Sequence, residues 1–180
     1  MRVTGLHYPD LLMPESAEPI TLPSGRAVEL PKAKPLFHAW RGAVPKDCYG
    51  SKPLLDLRGE MVFAELAILR LFELAGWQGR WIDSYRRKYR VGYWGDDTAK
   101  DLPLEQKALL DSIRAISEVR GGCFDVFCWR PGKIMFAEAK WKAHDRIRHS
   151  QRRWLEAALD FGIPVASFLI VEWEIQESSQ

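Results

Sequence analysis

The chain of 180 residues has little cysteine, little net charge and no long apolar run. Its three cysteines, Cys48, Cys123 and Cys128, are odd in number, widely spaced and form no CxxC pair. That pattern argues against a disulfide framework and fits a reducing compartment. Zinc could be drawn on Cys123 and Cys128 with His144 or His149, but small buried strand residues are the commoner origin of such cysteines. The formal net charge is only +2, so a nucleic-acid surface would have to come from local clusters of Lys and Arg. No basic stretch followed by an apolar one opens the chain, so no signal peptide is expected and the expected location is cytoplasmic. The most apolar helical stretch, 60–75, is interrupted by Glu65, Arg70 and Glu73, so no membrane association is expected. There is no internal repeat and no low-complexity tract. What remains is 47% hydrophobic and 28% charged, which suits one globular domain with a real core. Eight tryptophans are many for this length; some serve a core and some could stack on a ligand, and composition does not separate them.

The most informative stretch is 124–140, FDVFCWRPGKIMFAEAK. Two alternating apolar runs flank the turn Arg130-Pro131-Gly132-Lys133, as two strands of a hairpin would. Cys123, Asp125 and Phe127 share one face of the first run. Ile134, Phe136, Glu138 and Lys140 share one face of the second. A charge on a buried strand face costs several kcal/mol unless it is paired or holds a metal. Two acids and a lysine in such places suggest a metal site with a cationic partner, and a solvent-facing salt-bridged pair is the bland reading.

Around this stretch the pattern predicts further elements. Residues 1–58 hold eight of the eleven prolines, so an arm rather than helix is expected, with one hairpin, 20–22 against 27–30, and an apolar anchor at 36–40. A helix is expected from Arg58 to Ala75, ended by Gly76, with Glu60 inside its apolar arc. Strands follow near 80–84 and 89–94, flanking the basic, tyrosine-bearing run 85–90, which suits a phosphate backbone or a solvated hairpin tip. A second helix is expected over 103–119, buried through Leu109, Ile113 and Ile116. A third runs from the basic segment 141–149 to Phe161, with Gln151 in its apolar arc. A central strand over 165–173 closes the core.

Together the run Asp125…Glu138-Ala139-Lys140…Gln151-Arg152-Arg153-Trp154 and the element order resemble the PD-(D/E)xK nuclease superfamily, the restriction-endonuclease-like fold. The segment from Gly122 to Trp173 is most similar to the VRR-NUC branch. That branch pairs an Asp after a Gly-rich turn with an ExK strand and a helix carrying Gln. It also carries a glutamate early on its first helix, which Glu60 matches by position. The Pro that usually precedes the aspartate is Phe124 here. The resemblance implies an α/β fold in which a mixed central sheet is flanked by helices, in the order α-β-β-[inserted helix]-β-β-α-β. That core would span 58–175, with the Pro-rich arm 1–57 packed on it and a loose tail at 176–180.

The same resemblance implies metal-dependent phosphodiester hydrolysis, on DNA more than RNA. Mg²⁺, with Mn²⁺ able to substitute, would sit on Asp125, Glu138, Glu60 and the backbone carbonyl of Ala139. Such a hard ion on carboxylates suits this chemistry independently. Lys140 would orient or deprotonate the attacking water or steady the phosphate, and Gln151 would hold Lys140 or the substrate. Lys142, His144, Arg146, Arg148, Arg152 and Arg153, with Arg86, Arg87 and Lys88, would lie along phosphates. A homodimer or a larger protein complex is compatible with all of this. The rival readings are a catalytically inactive module of the same fold that binds nucleic acid or a protein, and a Trp-rich docking module.

Overall fold

The computed structural model describes residues 8–46 and 51–176. Cys48, the first seven residues of the arm and positions 177–180 of the expected tail lie outside that range. The chain is a mixed α/β protein with a ten-stranded, mostly antiparallel sheet and three α-helices among the described residues.

The N-terminal region contributes strands to this sheet. Strands β1 (Ser16–Thr21) and β2 (Ala27–Ala33) form an antiparallel hairpin that extends beyond the expected 20–22 and 27–30 at the end away from its turn. Its prolines are tolerated for positional reasons. Pro19 lies on β1, which among the described residues pairs with β2 alone, and Pro31 lies just before the residues of β2 that pair with the C-terminal strand. Next come β3 (Leu36–Ala39), β4 (Leu55–Leu57) and β5 (Glu60–Val62). The expected boundary between arm and core, at 57/58, falls inside the β4–β5 hairpin.

That hairpin corrects the expected helix start. Arg58 and Gly59 both adopt left-handed φ, +55° and +86°, and Asp56 Oδ1 accepts the Gly59 N–H at 2.7 Å. A two-residue turn of this kind reverses the chain into a strand, so residues 58–63 cannot be the first turns of a helix. Helix α1 spans Ala64–Leu74 instead, and Gly76 follows it at φ +82° as expected.

From α1 onward the order agrees with the sequence pattern. Strands β6 (Gln78–Asp83) and β7 (Lys88–Arg90) form a hairpin, followed by α2 (Leu104–Ser117). The buried face of α2 is Gln106, Leu110, Ile113 and Ser117, so Ile116, expected inside, faces solvent. Then come β8 (Val126–Arg130), β9 (Lys133–Trp141), α3 (His149–Asp160) and β10 (Phe168–Ile175).

The sheet order is β5-β4-β3-β10-β9-β8-β6-β7. Strand β10 runs parallel to β9 on one side and to β2 and β3 on the other. It is buried through its first four residues, as a central strand should be. Helix α1 packs on one face of the sheet among Leu66, Leu69, Phe72, Trp81 and Met135. Helices α2 and α3 cover the other through Leu110, Ile113, Trp154 and Leu155. No helix among the described residues is long and apolar enough to cross a membrane.

Candidate active site

The paired register of β8 and β9 sets the site. Val126 lies opposite Ala137, which brings Asp125 and Glu138 together at the end of the ladder. The Asp125 N–H donates to Glu138 Oε2 at 3.2 Å, and the Ala139 N–H donates to Asp125 Oδ2 at 3.0 Å. Each carboxylate is thus fixed by a backbone amide. Glu138 is 2% exposed and Lys140, two residues on along the same strand face, is 8% exposed. Lys140 Nζ stands 2.8 Å from Glu138 Oε1 and donates to the Arg146 carbonyl at 3.2 Å.

Gln151 reaches this pair from α3. Its Nε2 donates to Glu138 Oε1, and its Oε1 accepts the Arg148 N–H at 2.9 Å and Lys140 Nζ at 3.4 Å. The amide therefore closes the helix N-terminus and steadies both ends of the Glu138–Lys140 ion pair. Trp154, less than one turn later and fully buried, locks the helix in place. Its ring lies 5.8 Å from Phe124 and 4.9 Å from Phe136, centroid to centroid. Gly122 allows the close approach of chain and helix. At φ +94° it faces the Ser150 carbonyl, and a Cβ there would lie 2.2 Å from that oxygen.

Burial pushes the Asp125 carboxyl well above the usual carboxylate range, and the negative charges of Glu138 and Glu65 push it further. Burial also raises Glu138, opposed by Lys140 and by the Gln151 amide. Two facing carboxylates repel each other once both are ionised, beyond what the one lysine beside Glu138 offsets. A divalent cation between them would offset the cost.

Asp125, Glu138, Ala139, Lys140 and Gln151 line a cleft of about 580 Å³. The fifth polar side chain that the sequence pattern singled out, Glu60, is elsewhere. It sits on β5, paired with Arg70 at 3.1 Å, and borders a separate groove with Arg70 and Glu73. Its place in the cleft is taken by Glu65, in the first turn of α1 and ion-paired with Lys52, whose ammonium lies over Phe63. Moving the helix start from 58 to 64 makes Glu65 the early helical glutamate, so the missing signal was the Arg58-Gly59 turn.

The facing carboxylates of Asp125 and Glu138 would suit a hard cation such as Mg²⁺ better than zinc. Among the described residues no three His, Cys, Asp or Glu side chains converge into a ready cage. Mg²⁺ is ordinarily held by one or two carboxylates completed by water and substrate phosphate, which two facing carboxylates satisfy. Cys123 and Cys128 are buried, and burial raises both thiols, so neither is a ready thiolate ligand.

The expected basic surface divides. Arg148 borders the cleft, and Arg146, Arg152, Arg87 and His144 are exposed, with the His144 ring 4.3 Å from Trp141. Lys142 is held by both oxygens of Glu174 at 3.0 Å. Arg153 donates to the Ser117 carbonyl at 3.1 Å, tying α3 to the end of α2. The Arg86 guanidinium carbon lies 3.8 Å from the centroid of the Trp94 ring, and Lys88 is a partly buried residue of β7. Compared with known proteins, the chain matches no family model, no curated protein and no solved structure.

Proposed function

We propose that the protein is a divalent-metal-dependent nuclease of the PD-(D/E)xK type that hydrolyses phosphodiester bonds, in DNA more than RNA. The observation that carries the reading is the facing of Asp125 and Glu138 at the end of one strand pair, with Lys140 2.8 Å from Glu138 and Gln151 joined to both. Binding alone does not call for two carboxylates beside a phosphate, because like charges repel the ligand. The chain order α1, β6, β7, α2, β8, β9, α3, β10 is compatible with this reading.

Asp125 and Glu138, with the Ala139 carbonyl, would hold Mg²⁺ or Mn²⁺, and Glu65 rather than Glu60 would complete the acidic wall. Such an ion supplies phosphate neutralisation and a more acidic bound water. Lys140 would direct its ammonium at the attacking water or at a phosphate oxygen, in a position set by Glu138 and Gln151. Arg148, at the edge of the same cleft, would anchor the adjoining phosphate.

The test is cleavage of single-stranded, double-stranded and branched DNA, and of RNA, with Mg²⁺, Mn²⁺ or EDTA. Asp125→Ala and Lys140→Ala run beside the wild type. The expected result is metal-dependent cleavage lost in both variants with binding retained. Equal cleavage by all three proteins sinks the site. Binding without cleavage on every substrate identifies an inactive nucleic-acid-binding module instead.

A further inference from the structure

The tip of the β6–β7 hairpin is braced more heavily than a solvated turn needs. Asp83 and Arg90, at 2% and 0% side-chain exposure, form a buried ion pair at 3.0 Å. Such a pair is weak evidence for stability, because the desolvation of both ions cancels most of the attraction. It does fix geometry. Asp83 Oδ1 also accepts the Arg86 N–H at 3.1 Å, and Arg90 donates to the Gly95 carbonyl at 2.6 Å. The tip is thereby tied to the 91–98 loop.

A chain of aromatic side chains and one guanidinium packs beside this brace. Phe63 meets Trp81 edge to face at 5.3 Å, Trp81 lies 6.0 Å from Trp94, the Arg86 guanidinium lies 3.8 Å above Trp94, and Tyr85 follows at 5.7 Å from that guanidinium. The column begins in the core and ends on Tyr85, which is 89% exposed and lines the same cleft as Asp125 and Glu138. A large exposed ring that lines the same cleft as two facing carboxylates has an open flat surface.

We propose that Tyr85 is a specificity-determining residue that stacks on an unpaired nucleobase of the strand whose phosphate enters the cleft. Arg86 packs its guanidinium against Trp94, which leaves the exposed Tyr85 ring beside it for the base. A base inside a continuous duplex is already stacked on both faces, so Tyr85 favours single strands, frayed ends or gaps. This inference rests on the nuclease reading for the strand it engages, and its test is binding rather than cleavage.

The experiment is fluorescence anisotropy in EDTA, with a short labelled oligothymidine and a fully paired, blunt-capped hairpin duplex, on wild type, Tyr85→Ala, Tyr85→Phe and Tyr85→Trp. Base–aromatic contacts of this kind change affinity by roughly ten-fold or more per base. The expected result is a loss of about that size for Tyr85→Ala on the single strand, less than about two-fold on the duplex, and near-wild-type binding by the Phe and Trp variants. An unchanged single-strand affinity, equal losses on both probes, or no recovery in Tyr85→Phe overturns the inference while leaving metal-dependent cleavage untouched. A wild type that binds neither probe overturns it too, and if cleavage is also absent the nuclease reading falls with it.

Discussion

Replacing Gly122 by Ala tests how tightly the site depends on the contact between the chain and the first turn of α3. At φ +94° the backbone is in a region that an L side chain disfavours by about 1–2 kcal/mol. The added Cβ would also stand 2.2 Å from the Ser150 carbonyl oxygen and 3.0 Å from the Gln151 nitrogen. Both are backbone atoms, so no rotamer change relieves the clash, and overpacking of this kind costs about 1–3 kcal/mol. The expected destabilisation is therefore about 2–5 kcal/mol, which lowers Tm by roughly 4–20 °C in a chain of this size. Gly132→Ala is the control. Gly132 has φ +69° in the β8–β9 turn with nothing within 4 Å of an added Cβ, so only the conformational cost of about 1–2 kcal/mol applies. Urea denaturation of wild type and both variants reads the difference. Because the clash pushes on Ser150 and Gln151, Gly122→Ala should also lose cleavage under conditions where it is folded, and Gly132→Ala should keep it. Equal destabilisation by the two substitutions, or a Gly122→Ala within about 0.5 kcal/mol of wild type, refutes the reasoning.

Other consequences are equally open to measurement. Asp125 and Glu138 have folded pKa values above their unfolded ones, so their contribution to stability is present below the unfolded carboxylate range near about 4 and is lost as pH rises through the raised values. Metal-free wild type should therefore lose stability relative to Asp125→Asn as pH rises, and parallel stability curves would contradict this. Saturating Mg²⁺ at about 100 times its Kd should stabilise wild type by about 2.7 kcal/mol in a thermal shift and leave Asp125→Asn unmoved; an equal shift in both excludes Asp125 as a ligand. Arg152→Ala should lower the slope of log affinity against log salt by about one, whereas Arg153→Ala should instead cost about 1 kcal/mol of stability by releasing the Ser117 carbonyl. Arg90→Met should cost about 3–5 kcal/mol by stranding the Asp83 charge, and adding Asp83→Leu should recover most of that loss in urea denaturation.

Much of the candidate site was legible because its residues break a pattern. Asp125, Glu138 and Lys140 are charges in alternating apolar strands, and Gln151 lies in an apolar helical arc, so each stands out without any knowledge of the fold. Glu65 does not break a pattern, because it sits among other polar residues once its helix is drawn from Arg58. Only the left-handed turn at Arg58-Gly59, a backbone fact hidden in a helix-like sequence, moves the helix start and exchanges Glu60 for Glu65. The N-terminal hairpin was legible, but its joining to the main sheet and the strands β3 to β5 were not, for a related reason. Proline forbids a central position in a sheet but not an edge, and only the tertiary pairing of β2 with β10 shows which it is. Arg153 and Lys142 read as free cations in sequence, yet their partners, the Ser117 carbonyl and Glu174, lie on other elements and cannot be seen locally.

The two hydrogen bonds from the Asp125 N–H to Glu138 and from the Ala139 N–H to Asp125 have a mechanical consequence. The β8–β9 ladder ends at Val126 and Ala137, and two carboxylates then act as one more rung, each accepting an amide of the paired chain. Removing either acid frays the zip at the end where chemistry would occur and leaves an amide hydrogen without its acceptor. Loss of both should cost less than the sum of the two single losses, because the rung can come undone only once.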